Sequence, residues 1–120
     1  MQQIKYWLPT LVWAAIIFYA SSRGAIVTSD SYGLDFFIKK TAHFVEYFIL
    51  SWLVFRSLKQ TVQLTFQKII ILTFVVCVLY AVSDEYHQSY VPGREPRVRD
   101  ILIDTFGIST ALVLRKKHSD

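Results

Sequence analysis

Charge is scarce in this 120-residue chain: 18% of its residues are Asp, Glu, Lys or Arg, against about 25% in ordinary soluble domains. There is one cysteine, Cys77, which excludes an internal disulfide framework and a cysteine-rich zinc site. Four glycines and three prolines are too few for collagen-like or linker sequence. The sequence has no H-E-x-x-H run, no Gly-x-Ser-x-Gly elbow and no glycine-rich phosphate loop. What fills the chain is apolar: 53% hydrophobic and 16% aromatic residues, with a mean hydropathy of +0.37. That excludes disorder, and the length allows a single domain, 1–120. A net charge of +4 alone would admit nucleic acid as a partner. The distribution of charge argues against it.

Charge-free runs organise the chain. Seventeen residues separate Lys5 from Arg23 and fifteen separate Lys68 from Asp84. The run between Lys40 and Arg56 is apolar apart from His43 and Glu46, and the last is broken only by Asp104. A bilayer-spanning helix needs about 20 mostly apolar residues, with about 17 as the lower limit. Only the first run reaches that limit; the others need polar ends that snorkel or a thinned bilayer. A soluble bundle fails on patterning, because its helices carry a polar stripe, whereas 69–82 is apolar all round but for Thr73. A signal peptide is disfavoured by Pro9 and the three later apolar runs. The expected fold is therefore all-α, an integral membrane bundle of four transmembrane helices with short loops. The expected helices are about 4–22, 39–58, 68–90 and 100–114. A short interfacial helix is expected at 34–38, and Pro92-Gly93 marks a turn. Trp7, Trp13 and Trp52 read as lipid-facing or interfacial anchors.

Lys and Arg in short loops orient such a bundle. One side collects seven bases (Lys5, Arg56, Lys59, Lys68, Arg115, Lys116, Lys117) and one acid, Asp120. The other collects six bases and eight acids. The expectation is a multi-pass protein of a bacterial cytoplasmic membrane, with both termini in the cytoplasm and the acid-rich side outward. The basic pI then reflects orientation rather than nucleic-acid binding.

Ionisable residues in or beside a span mark function by default. Here they line up as stripes. His43 and Glu46 are three apart, as are Glu85 and Gln88; Asp84 and Gln88 are four apart; Asp100, Asp104 and Gly107 follow at four and three. Antiparallel helices would bring these stripes to one outer pocket, with the Arg94 hairpin above it. The candidate site is His43, Glu46, Asp84, Glu85, Gln88, Arg94, Asp100 and Asp104. Gly107 and Ala111, four apart, suit close helix approach.

The stretch Lys40-x-x-His43-x-x-Glu46-Tyr47-x-x-Leu50, then Ser83-Asp84-Glu85-x-x-Gln88, Pro92-Gly93-Arg94, Asp100 and Gly107, resembles the VanZ-like family of small bacterial membrane proteins. The resemblance covers nearly the whole chain. Asp104 and Ala111 stand where that family often carries Asn and Gly. The resemblance implies a cell-envelope setting, since founding members are implicated in resistance to teicoplanin and related glycopeptides; it implies no particular reaction.

Three functional readings remain open on the residues. The acids would repel one another unless protonated, paired with Lys40 or Arg94, or bound to a cation. A pocket for a membrane lipid or lipid-linked wall precursor is the first reading. An acid–base enzyme acting on an anionic lipid is the second, with Glu46 or Asp84 as base, His43 as acid or orienter and Arg94 as anion clamp. A non-catalytic scaffold whose stripes lock helices together is the third. No cofactor is expected. A metal would be a hard cation such as Mg²⁺, Mn²⁺ or Ca²⁺, given one imidazole among carboxylates.

Overall fold

The computed structural model describes residues 2–22, 32–90 and 98–119. They form four helices, α1 (Gln2–Ser22), α2 (Tyr32–Thr61), α3 (Phe66–Gln88) and α4 (Val98–Ser119), and no strand among the described residues. Every helix is longer than its apolar run. Lys39, Lys40, Lys59, Lys116 and Lys117 have good helix propensity, so the backbone continues through them after the hydrophobic signal stops. The 34–38 segment is thus not a separate interfacial helix; it lies in the first turns of α2. Between α2 and α3 only residues 62–65 leave the helix. Thr65 ends that connection as the N-cap of α3, its hydroxyl accepting from the Lys68 amide at 3.3 Å. Pro9 sits inside α1, where it deprives the Lys5 carbonyl of its helical donor.

Side-chain contacts give the helix directions. Trp7 meets Thr61 and Trp13 meets the Glu46 carbonyl, so α1 and α2 are antiparallel. Tyr47 meets Asp84, whereas Phe55 meets Phe66, so α2 and α3 are antiparallel too. His43 meets Asp104 and Trp52 meets Arg115, which makes α2 and α4 parallel. The result is an up-down-up-down bundle 47 Å long. Both α2 and α3 pack against each of the other three helices, α2 the more extensively; α1 and α4 do not approach one another among the described residues.

The seam between α2 and α4 is the tightest. On α4 the buried positions are Asp100, Asp104, Gly107, Ile108, Ala111 and Leu112, one face at helical spacing. A Cβ on Gly107 would lie 2.5 Å from the Phe44 carbonyl oxygen. Only glycine allows that approach. On α3 the inward stripe is narrow and small: Thr73, Cys77 and Ala81, each fully buried.

The remaining surface is apolar. Leu11, Phe18, Ile71, Leu79, Leu102, Phe106 and Val113 are each more than half exposed, spread over three helices. α3 is long and apolar enough to cross a membrane, with a window of mean hydropathy 2.1 of which 22% is buried. α1 contributes a shorter apolar stretch, Ile4–Ala20. The longest apolar helix is therefore the third rather than the first, because Phe66 and Gln67 extend the α3 run across Lys68.

Two of the tryptophans depart from expectation. The indole N–H of Trp7 donates to Thr61 Oγ1 at 3.2 Å, and that of Trp13 donates to the Glu46 carbonyl at 2.9 Å. Both rings are half-buried between α1 and α2 and act as interhelical ties. Composition marks an indole as amphipathic but does not say whether its N–H finds a headgroup or a neighbouring helix.

Candidate functional site at the acid-rich end

The alternating directions bring the end of α1, the start of α2, the end of α3 and the start of α4 to one end of the bundle. Of the eight candidate residues, Asp84, Glu85, Gln88, Asp100 and Asp104 are buried there. His43 and Glu46 are half-buried. Arg94, with the hairpin around it, lies outside the described residues.

Three polar contacts join the helices. Lys40 Nζ pairs with Asp100 Oδ1, linking α2 to the first turn of α4. One helical turn deeper, His43 Nδ1 lies 3.2 Å from Asp104 Oδ1. On the neighbouring face of α2, the Tyr47 hydroxyl donates to Asp84 Oδ2 at 3.1 Å, linking α2 to α3. These three residues recur at three and four along α2, so each faces a partner helix at a successive level. Glu46 stands near enough for its charge to act on His43 and on Tyr80. Tyr80 in turn donates to the Ala14 carbonyl at 2.5 Å, closing the network toward α1.

Two of the three pairs leave a carboxylate oxygen over. Asp84 Oδ1 and Asp104 Oδ2 are buried and accept no hydrogen bond among the described residues. Asp104 is fully buried and Asp84 nearly so, and the Asp84 carboxylate is near enough for its charge to act on Asp104. A buried acceptor without a donor costs about 1–3 kcal/mol, and more when charged. Each such oxygen calls for a donor: hydroxyl, amine or water. A metal fits less well. No group of three His, Cys, Asp or Glu side chains able to hold an ion occurs among the described residues.

Of the sequence-derived set, the structure therefore joins His43 with Asp104 directly, and places Asp84, Asp100 and Glu46 beside them. The expected pairing of Asp84 or Glu85 with Arg94 falls outside the described residues. For Asp84 the described partner is Tyr47. Tyr47 and Lys40 join this polar network but stand outside the candidate set. A signal existed: Lys40, His43 and Tyr47 share the spacing of one helical stripe, but a tyrosine inside an aromatic-rich run reads as packing. Tyr80 carried no such signal.

A family model described as VanZ/LLP1 matches residues 6–116, nearly the whole chain, and the protein belongs to this VanZ-like family. The match takes in every residue of the candidate site. No curated protein matches the chain, and no solved structure does.

Proposed function

We propose that the protein is a four-span VanZ-like protein of a bacterial cytoplasmic membrane, comprising one domain with both termini in the cytoplasm. Its acid-rich end faces outward and binds the donor-bearing headgroup of an envelope lipid or lipid-linked wall precursor. Family membership, the apolar helix α3 and the apolar belt around α1, α3 and α4 support the membrane setting. In lipid that belt is satisfied; in water it would be far larger than a monomer's usual apolar patch.

The observation that carries the ligand reading is the pair of buried carboxylate oxygens, Asp84 Oδ1 and Asp104 Oδ2. Their acceptor chemistry selects amine and hydroxyl donors, as found on aminated headgroups and sugars. Binding there would change how the cell surface meets glycopeptides such as teicoplanin, the phenotype that the family resemblance implies.

A second reading has its own support. The pairs Lys40–Asp100, His43–Asp104 and Tyr47–Asp84 all run between helices, which is what a non-catalytic lock requires. Asp84→Asn and Asp104→Asn separate the two, because an amide keeps the size and one carbonyl acceptor while removing charge. The ligand reading expects both variants to reach the membrane at wild-type level and to lose the glycopeptide phenotype of an expressing strain. Disappearance of the variants from the membrane would favour the lock. A normal level with a normal phenotype would contradict the ligand reading. Conversion of a defined lipid pool by purified wild type, stopped in Glu46→Gln, would instead identify the acid–base enzyme.

A further inference from the structure

From the middle of the bundle towards its basic end runs a feature that the acid-rich site leaves unused. There α2 and α4 run side by side, and between them lies a groove of about 230 Å³ lined by Phe48, Ile49, Trp52, Leu53 and Leu114. The lining is wholly apolar in side-chain type. Its volume falls below the roughly 300–1,000 Å³ of pockets for compact small molecules, which suits part of one extended hydrocarbon chain.

The rim is cationic. Arg115 follows Leu114 directly, and its guanidinium carbon lies 3.8 Å from the centre of the Trp52 ring, stacked on the groove wall. Its Nη2 donates to the Trp52 carbonyl at 2.9 Å, which fixes the side chain at the groove's end. The like charge of Arg56, one turn beyond Trp52 on α2, acts on Arg115. Lys116 and Lys117 continue α4 as exposed bases. An apolar groove that ends at two neighbouring guanidinium groups, Arg115 and Arg56, matches, in order, the chain and the phosphate of one anionic phospholipid.

We infer that this groove holds a single anionic phospholipid, with an acyl chain along Phe48, Trp52 and Leu114 and its phosphate at Arg115 and Arg56. The inference rests on the membrane reading above. Charge complementarity selects the occupant: a zwitterionic lipid offers the same phosphate but brings a cation that the basic rim repels, and a second copy of this chain would bring the same bases against themselves.

The full chain, purified in detergent, is titrated with phosphatidylglycerol or phosphatidylcholine and weighed by native mass spectrometry. The expected result is one retained phosphatidylglycerol per chain, preferred over phosphatidylcholine by about 25-fold, with each of the two arginines worth roughly fivefold. Arg115→Gln should lower that preference about fivefold. Leu53→Trp should fill the groove and abolish retention of either lipid; Ile49→Trp is the substitute if that variant fails to fold. Equal retention of the two lipids, or a preference unchanged in Arg115→Gln and in the filled groove, would overturn the inference. So would a wild-type dimer that Leu53→Trp dissociates, since the groove would then be a self-interface. Carbonate washing of membranes keeps the two levels apart. A chain released by carbonate loses both the membrane reading and the lipid site, whereas a retained chain without lipid preference loses only the latter.

Discussion

The two ends of the bundle are built from opposite treatments of charge. At the acid-rich end Asp84, Glu85, Asp100 and Asp104 are all buried, and their neighbours on α2 reach across helices to meet three of them. At the basic end Lys59, Lys68, Lys116 and Lys117 are exposed, while Val54, Phe55, Leu58, Ile69 and Leu112 fill the interior. Long basic side chains can place their charge in water while their stems cover apolar surface. Short carboxylates have no such reach, so an Asp within a helix seam must be satisfied where it stands. The buried acids are thus the costly part of the molecule. Ionisable groups buried at such cost are by default candidates for function, unless they serve as the interhelical lock.

Substitutions at the two ends should separate these treatments. The largest effect falls on the seam that serves both. Gly107→Ala places a methyl 2.5 Å from the Phe44 carbonyl oxygen, so α2 and α4 must part. A loss of about 3 kcal/mol is expected, read as a fall in thermal midpoint and in membrane level. Next comes the acid-rich end. Tyr47→Phe removes the donor to Asp84 Oδ2, leaving both oxygens of a buried carboxylate without a described partner. A cost of about 1–3 kcal/mol follows, and Asp84→Asn combined with it should recover part of that loss, as a double-mutant cycle in detergent would show. The basic half should respond less. Thr10 Oγ1 and Ser57 Oγ lie 2.6 Å apart between α1 and α2, and Ser57→Ala should cost about 0.6 kcal/mol, the usual worth of a hydrogen bond between membrane helices. Cys77→Ala should be mildest, within about 1 kcal/mol, because it removes only a small apolar sulfur from the α3 stripe.

The helices were legible in the sequence because charge-free runs announce them, and the polar stripes were legible because spacings of three and four repeat on α2, α3 and α4. Helix ends were not. Lys39, Lys40 and Lys116 stop an apolar run without stopping a helix, so α2 and α4 extend well past it. Register was also hidden. Nothing in the sequence says that Lys40 meets Asp100 and His43 meets Asp104; that follows from the depth at which Gly107 lets α4 settle against Phe44. Tyr47 and Tyr80 were passed over because a phenol in an aromatic-rich chain reads as packing until its hydroxyl is seen to find Asp84 or the Ala14 carbonyl. The indoles of Trp7 and Trp13 show the converse: their sequence setting reads as lipid-facing or interfacial, yet α2 receives both N–H groups.

The central claim is that the two ends face different compartments, the acid-rich end outward. Single cysteines in a Cys77→Ala background test it most directly. Ser89 is exposed just past α3 at the acid-rich end, and Gln63 is exposed in the connection at the basic end. With a membrane-impermeant maleimide on intact cells, the account predicts labelling of Ser89→Cys and protection of Gln63→Cys until the membrane is opened. Labelling of Gln63→Cys from outside, with Ser89→Cys protected, would contradict it.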